Sequence, residues 1–506
     1  MKSFIYSALL GLLIIPPAWA QPATKVALSN LPTPSDGGFT INGQIRGLKD
    51  STCVLAHWYY VPGQYIPKDT ARMDAEGRMT FIGTKKLPEG LYLVVTPKQQ
   101  YVELIITKEQ NFSFETDTAA LAQRMVKKIV GSKENEAFYA FQQQMVKFYD
   151  ETQAIEVQKK LRNDAVSTAL FNKQRADVNK RATDFRKQFL TDNNGLFATK
   201  LLKASSEPDV PEAPKASNGR PDSLWTFNYY KAHYWDDFDL TDQRFLRTPI
   251  LQRKVERYVK ELTVQVSDSL IKEADMLIGR TKPDKEMQQY MIYYITSQYE
   301  RPKILGTDEV FLHMAEKYYL TGIMPLSDSA ARARIVEKVN TLKPLLVGKI
   351  LPAPVVSDTL KRPINFMGIK TPYTVVFFYA PHCGHCREAA PKLKKFMDAN
   401  RAKEKDVTMV AIPVEDSMED WKKFIQEFKI GDWTNGYDFT YRTDYRHQYD
   451  VFTTPVVYVL DKDKRIIARA LPAESVEDFL GFYKRQQAAK KVAVSNAPEK
   501  KKAGGK

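Results

Sequence analysis

The chain has 506 residues, 43% of them hydrophobic, with a formal net charge of +15 and three cysteines. The hydrophobic share excludes an intrinsically disordered protein, the length makes one domain improbable, and so few cysteines exclude a disulfide-stapled scaffold. Nucleic-acid binding is disfavoured because residues 490–506 alone carry six Lys against one Glu, or +5 of the total, with no basic–aromatic motif beside them. A solvated, cation-rich surface able to meet anionic envelope lipids or glycans is the expectation.

The N-terminus carries Lys2, an apolar run from Phe4 to Ile15, and Ala18-Trp19-Ala20 before Gln21. These are the charged, apolar and small-residue parts of a cleaved signal peptide over residues 1–20. A membrane anchor needs about 18 apolar residues, and Pro16-Pro17 ends this run too early. Export to the periplasm is the expected localisation. Absence of a cysteine after the cleavage site argues against lipid attachment there.

Residues 21–117 read as a β-sandwich-like, all-β domain. Short alternating runs (Phe39–Ile41, Val54–Tyr60, Met79–Phe81, Leu91–Val95, Tyr101–Ile106, Phe112–Phe114) are divided by breaks such as Asp36-Gly37-Gly38 and Pro88-Glu89-Gly90. Cys53, immediately before the Val54–Tyr60 run, is expected to be a small buried strand residue.

The period changes over 118–345, the expected α-helical domain. Phe138, Phe141, Met145 and Phe148 repeat at helical spacing, as do Phe171, Val178, Ala182, Phe185 and Phe189 before a stop at Asp192-Asn193-Asn194-Gly195. Glu207–Pro221 holds four prolines and reads as an exposed loop. The aromatic-rich stretch Trp225–Phe238 is expected to build helical core before a peptide- or sugar-binding platform. Asp236, Asp237 and Asp239 lack the Gly and terminal Glu of a calcium loop and read as a solvated helix end.

From residue 346 to 485 the pattern is α/β. Strands are predicted at Tyr373–Ala380, Val407–Pro413, Val456–Leu460 and Ile466–Ala470, and helices at Glu388–Ala399, Met418–Phe428, Tyr445–Tyr449 and Val476–Tyr483. Residues 486–506, rich in Lys, Ala and Gly, are expected to be a basic tail without fixed structure.

At the end of the first of these strands stands Cys383-Gly384-His385-Cys386. A helix N-terminus offers unpaired N–H groups and partial positive charge, which favour a thiolate. Strand, Cys-x-x-Cys and helix together point to thiol–disulfide chemistry. A zinc site would need a second ligand pair, and none accompanies His382 and His385, so no metal or cofactor is expected.

Residues 348–485 resemble a thioredoxin-fold domain. The run Phe378-Tyr379-Ala380-Pro381-His382-Cys383-Gly384-His385-Cys386 is similar to the active-site strand of protein disulfide isomerases, and Pro391 matches the wider layout of bacterial envelope thioredoxin-like reductases. The resemblance implies that Cys383 attacks, Cys386 resolves, and His385 stabilises the Cys383 thiolate. It also implies that Thr454 and Pro455, joined by a cis bond, receive substrate beside His382. Three positions depart from the family. Phe377 stands where a buried acid is usual, Ala389 where a Glu is common, and His382 where an aromatic residue normally precedes the first cysteine. Glu388, Glu415, Asp416 and His382 are the candidate proton acceptors in its place.

The reading is an exported thiol–disulfide oxidoreductase acting on the thiols or disulfides of envelope proteins, with a membrane electron donor as a further partner implied by the resemblance. Its rival is a binding or chaperone-like envelope protein whose thioredoxin domain mainly recognises partners. Neither the direction of electron flow nor the oligomeric state follows from the sequence.

Overall fold

The computed structural model describes residues 37–58, 64–162, 164–301, 304–415 and 417–495. Segment 1–20, Tyr59, Tyr60 and Asp416 lie outside the described residues. The chain falls into two units. One extends to Thr263 and takes in Asp275–Met291, and the other holds Val264–Ala274 and continues from Ile292.

The first unit opens with strands β1 (Phe39–Arg46), β2 (Thr52–Trp58), β3 (Tyr65–Arg72), β4 (Arg78–Gly83), β5 (Gly90–Val95), β6 (Tyr101–Ile106) and β7 (Asn111–Asp117). A short helix α1 (Thr118–Ala122) precedes β8 (Lys128–Val130). They build two four-stranded sheets, ordered β4-β1-β7-β8 and β3-β2-β5-β6. Alternation works as anticipated in β1, where Phe39, Ile41 and Ile45 are buried, and in β7, where Phe112 and Phe114 are. Cys53 in β2 is fully buried; its thiol donates to the Met73 sulfur at 3.6 Å, and desolvation pushes it up to about 11.

Strand β3 was not foreseen. It is polar and contains Pro67, which is tolerated because β3 lies at a sheet edge and Pro67 pairs with Ala56 beside an irregularity in the β2 register.

The helical part begins with a long hairpin of α2 (Lys133–Leu161) and α3 (Ala165–Asp192), capped by the side chains of Ser132 and Asp164. Phe148, Val178 and Ala182 form its buried seam, joined by Met145 and Phe185. Helix α4 (Phe197–Ala204) starts on a buried carboxylate: Glu134 accepts from the Phe197 and Ala198 N–H groups at 2.9 and 2.8 Å. After the irregular segment 207–221 come α5 (Ser223–Ala232) and α6 (Pro249–Glu261). Tyr234, Trp235 and Phe238 are buried core residues, whereas Phe227 is 40% exposed. Helices α7 (Ser267–Thr281) and α8 (Lys285–Tyr299) follow.

Helices α9 (Asp308–Met314) and α10 (Ser329–Leu342) lead into the α/β region. Its elements are β9 (Tyr373–Tyr379), α11 (Gly384–Lys403), β10 (Val407–Pro413), α12 (Met418–Glu427), β11 (Thr434–Asn435), α13 (Tyr445–Tyr449), β12 (Val456–Leu460), β13 (Ile466–Ala468) and α14 (Val476–Ser495). The sheet order is β11-β10-β9-β12-β13. Strands β11, β10 and β9 run parallel, while β12 and β13 are antiparallel to their neighbours. This is the thioredoxin arrangement, so the fold class is an all-β start, a helical middle and a thioredoxin-like end. Helix α14 continues to Ser495, into the segment expected to be unstructured, because Gln, Ala and Lys are strong helix formers that outweigh its charge.

Central strand β9 is buried on both faces, as its unbroken apolar run requires. Val375, Phe377 and Tyr379 enter one core with Cys386, Leu393, Trp421 and Phe424. Val376 and Phe378 enter the other with Tyr449 and Tyr458. Arg469, just past β13, forms a buried ion pair with Asp308 of α9 at 2.6 Å and a second pair with Asp450 at 2.9 Å.

Candidate active site

The site lies where β9 ends and α11 begins. The apolar β9 places Tyr379 at the sheet's end, Ala380 to His382 turn the chain, and Cys383 becomes the N-cap of α11. Its sulfur accepts the Cys386 N–H at 3.4 Å, in the position a Ser or Asp oxygen usually takes. The helix terminus thus directs a donor at the reactive sulfur.

Opposite stands the turn before β12. The Thr454–Pro455 peptide is cis, the isomer implied by the family resemblance. The Cys383 thiol donates to the Thr454 carbonyl at 3.3 Å, so this turn and the Cys-x-x-Cys turn face each other directly.

The two sulfurs differ in environment. Cys383 is partly exposed and Cys386 fully buried. Partial burial pushes the Cys383 thiol up, but hydrogen bonds from the Thr454 side chain, from Cys386 and from the Cys386 and His385 backbone outweigh it and hold the thiol below its ordinary range. Desolvation dominates at Cys386 and pushes it up to about 12, although Thr454 and the backbone pull the other way. The arrangement supports an accessible nucleophile and a shielded second thiol that stays protonated until called on.

The other predicted residues separate into two groups. Thr454 and Pro455 are brought to the cysteines. His385 projects into solvent, with its side chain 85% exposed and its Nδ1 4.0 Å from Glu388. His382 turns away to the start of α12, where its Nε2 lies 3.1 Å from the Asp420 carboxylate. Hydrogen bonds from Ser417 and then from His382 keep that carboxylate below its usual range. Glu388 and Glu415 are exposed, and Phe377 is sealed in the core.

Two contributors were missed. Arg387 donates to the Pro381 carbonyl at 3.3 Å, pairs with Glu427 and lies over the Phe428 ring, bracing the turn against α12. Tyr379 is fully buried beneath the site, and its hydroxyl has no hydrogen-bond partner. Both depend on residues some 40 positions away, beyond any local motif.

Among the described residues, no group of three or more His, Cys, Asp or Glu is placed to hold a metal. Nor is any helix among them long and apolar enough to cross a membrane.

Comparison with known proteins gives three family matches. Residues 39–138 match a domain of unknown function, DUF4369, and residues 172–343 match a second, DUF5106. Residues 372–466 match the thioredoxin-like family. Among solved structures, a domain of a possible thiol-disulfide isomerase from Cytophaga hutchinsonii is 39% identical, covering 29% of this chain and 98% of that one (TM-score 0.27). A thioredoxin-like protein from Bacteroides caccae is 19% identical, covering 55% of this chain and 99% of that one (TM-score 0.44). A thiol-disulfide oxidoreductase from Bacteroides fragilis is 22% identical over 27% of this chain and 99% of that one (TM-score 0.25). No protein of curated function matches. The fold, the paired cysteines at a helix start and the family match over residues 372–466 agree, and the chain belongs, through this C-terminal domain, to the thioredoxin-like family.

Proposed function

We propose that the protein is an exported thiol–disulfide oxidoreductase that acts on the thiols or disulfides of envelope proteins. The observation that carries this reading is the Cys383 thiol, lowered below its ordinary range, capping α11 and lying 3.3 Å from the carbonyl before a cis-proline. The thioredoxin-like domain supports a redox role in general, and the N-terminal Lys2-to-Ala20 pattern supports export.

In this reading Cys383 attacks a substrate disulfide and forms a mixed disulfide. Cys386 then attacks the Cys383 sulfur, and the substrate leaves as a thiol. Thr454 and Pro455 offer backbone to an extended substrate segment, with His382 at the rim. The His385 backbone N–H helps hold the Cys383 thiol low, and a stabilised thiolate favours the reduced enzyme and hence oxidation or isomerisation of substrates. In the opposite direction, a membrane electron donor would have to re-reduce the pair.

Cys386→Ser is the test. It should trap Cys383-linked adducts in envelope extracts, and their absence would sink the reading. A reduction potential near about −270 mV would assign a reductase, and one of about −120 to −180 mV an oxidant or isomerase. Phe377 in place of the usual buried acid favours a second reading, a recognition module with weak redox activity. That reading expects partner capture that survives Cys383→Ser.

A further inference from the structure

The turn that brings Thr454 to Cys383 is gripped at its ends. Downstream it becomes β12, whose pairing with β9 includes Val456 opposite Phe378. Upstream it leaves α13 through Asp450, a non-glycine residue in the left-handed region (φ 53°). Val451 and Val456 are buried, but Phe452 is 56% exposed and Thr453 is exposed beside it. Core packing therefore does not hold the middle of the turn.

Two side chains from outside the thioredoxin-like domain reach it. Asp308 of α9 accepts from the Arg469 guanidinium at both carboxylate oxygens, at 2.6 and 3.1 Å. The same guanidinium donates to Asp450 at 2.9 Å. A forked contact of this kind fixes direction as well as distance. Glu337 of α10 meets the His447 Nε2 at 2.5 Å, and the His447 ring stands edge-on to Phe452 with centroids 5.6 Å apart. Asp450 precedes Thr454 by four residues and Phe452 by two, so both routes end just upstream of the site. Helices α9 and α10 share a compact unit with the thioredoxin-like domain, yet Asp308 and Glu337 lie in the 172–343 stretch that matches DUF5106.

We propose that the C-terminal end of the DUF5106 region braces the active site, with Asp308 (through Arg469 and Asp450) and Glu337 (through His447 and Phe452) as positioning residues that hold Thr454 against the Cys383 sulfur. That this turn receives substrate rests on the oxidoreductase reading. The brace itself concerns the 3.3 Å approach of Cys383 to Thr454. Hydrogen bonds depend on both distance and angle, so a turn released at Asp450 weakens the Thr454 contribution that holds the Cys383 thiol low. The helical region thereby sets how much thiolate Cys383 presents, without adding an atom to the site.

The deciding variant is Asp308→Leu with Arg469→Met. It replaces a buried ion pair by apolar side chains, an exchange that folds often tolerate, and it deletes the tether to Asp450. In the full-length reduced protein, Cys383 alkylation by iodoacetamide at neutral pH should slow about threefold. Its pH profile should move up by about half a unit, with the high-pH limit unchanged. Asp450→Gly suits the left-handed backbone, leaves the Asp308–Arg469 pair in place and should move the profile the same way. Glu337→Ala, at a half-exposed position, should give a smaller move in that direction. In a Thr454→Val background none of these changes should slow alkylation further, because the hydroxyl they aim is gone.

Recovered stability with an unmoved Cys383 profile assigns the Asp308–Arg469 pair to packing and overturns the proposal. Slowing that persists in the Thr454→Val background also overturns it, by placing the effect elsewhere. Should the double variant fail to fold, unmoved profiles in both Asp450→Gly and Glu337→Ala overturn it equally. Alkylation needs no disulfide substrate, so this result is read separately from the oxidoreductase reading, which Cys386→Ser tests.

Discussion

The Cys383 sulfur and the Thr454 carbonyl oxygen lie 3.3 Å apart although 71 residues separate them in the chain. Each belongs to a tight turn at the same end of the sheet, one after β9 and one before the adjacent β12. Strand pairing therefore sets their approach: Val456 pairs with Phe378, and the turns continue from those strand ends. The nucleophile is aimed by the sheet, not by flexible loops.

The three cysteines should differ sharply in reactivity. Cys383 is held below its ordinary range, whereas burial pushes Cys53 up to about 11 and Cys386 up to about 12. Brief treatment of the native reduced protein with iodoacetamide at about pH 7 should label Cys383 alone, since the thiolate is the reactive species. Mass spectrometry of the labelled peptides checks this. Comparable labelling of Cys386 without denaturant would contradict the assignment of roles.

The side chain of Thr454 pulls both thiols down. Thr454→Val keeps the shape and deletes the hydroxyl, so Cys383 alkylation at neutral pH should slow by about three- to tenfold, equivalent to a rise of about half to one pH unit. The limiting rate at high pH should not change, and Thr454→Ser should restore most of the loss. A uniform loss across all pH values would mean that the substitution altered access and not ionisation.

Asp308 and Arg469 are 5% and 9% exposed in their side chains, so removing one partner strands a buried charge. Asp308→Asn should cost about 3 kcal/mol in urea-monitored unfolding. Asp450→Asn should cost less, because Asp450 is 28% exposed. The double replacement Asp308→Leu with Arg469→Met should recover much of the loss. A cost near zero for Asp308→Asn would show that water already reaches the pair.

His447 joins α13 to α10: its Nδ1 meets Asp444 at 2.5 Å and its Nε2 meets Glu337 at 2.5 Å. Asp444 first and Glu337 next raise the imidazole above its ordinary range. A raised folded-state value means the stabilisation is complete below about pH 6.5 and fades as pH rises through the folded value. Asp444 is lowered by the same contact, so its share is present above about pH 4 and lost on acidification. Thermal unfolding should therefore fall gently from about pH 6.5 to 8, and His447→Gln should flatten that slope. An identical slope in the variant rules out this source.

Much of the thioredoxin-like domain is legible because its strands are buried on both faces: Val375-Val376-Phe377-Phe378 and Val456-Val457-Tyr458-Val459 admit no other element. Strand β3 escaped because an edge strand need not be apolar, and β11 because two residues carry no period. At the site, the cysteine spacing and Pro455 could be read locally. The Asp420 that holds His382, the Glu427 that holds Arg387 and the missing partner of Tyr379 could not. Those facts arise when α12 packs beside β9, and nothing within a motif's length encodes that contact.

Cys383 is at once the redox-active atom and the first cap of α11. Oxidation to a disulfide removes the thiolate charge that the helix terminus favours, so the folding equilibrium and the redox equilibrium share one atom. Any free energy that this cap adds to the reduced fold must reappear, with the same magnitude, in the reduction potential of the pair. Melting temperatures of the reduced and oxidised protein are therefore a second, calorimetric reading of the direction in which electrons flow.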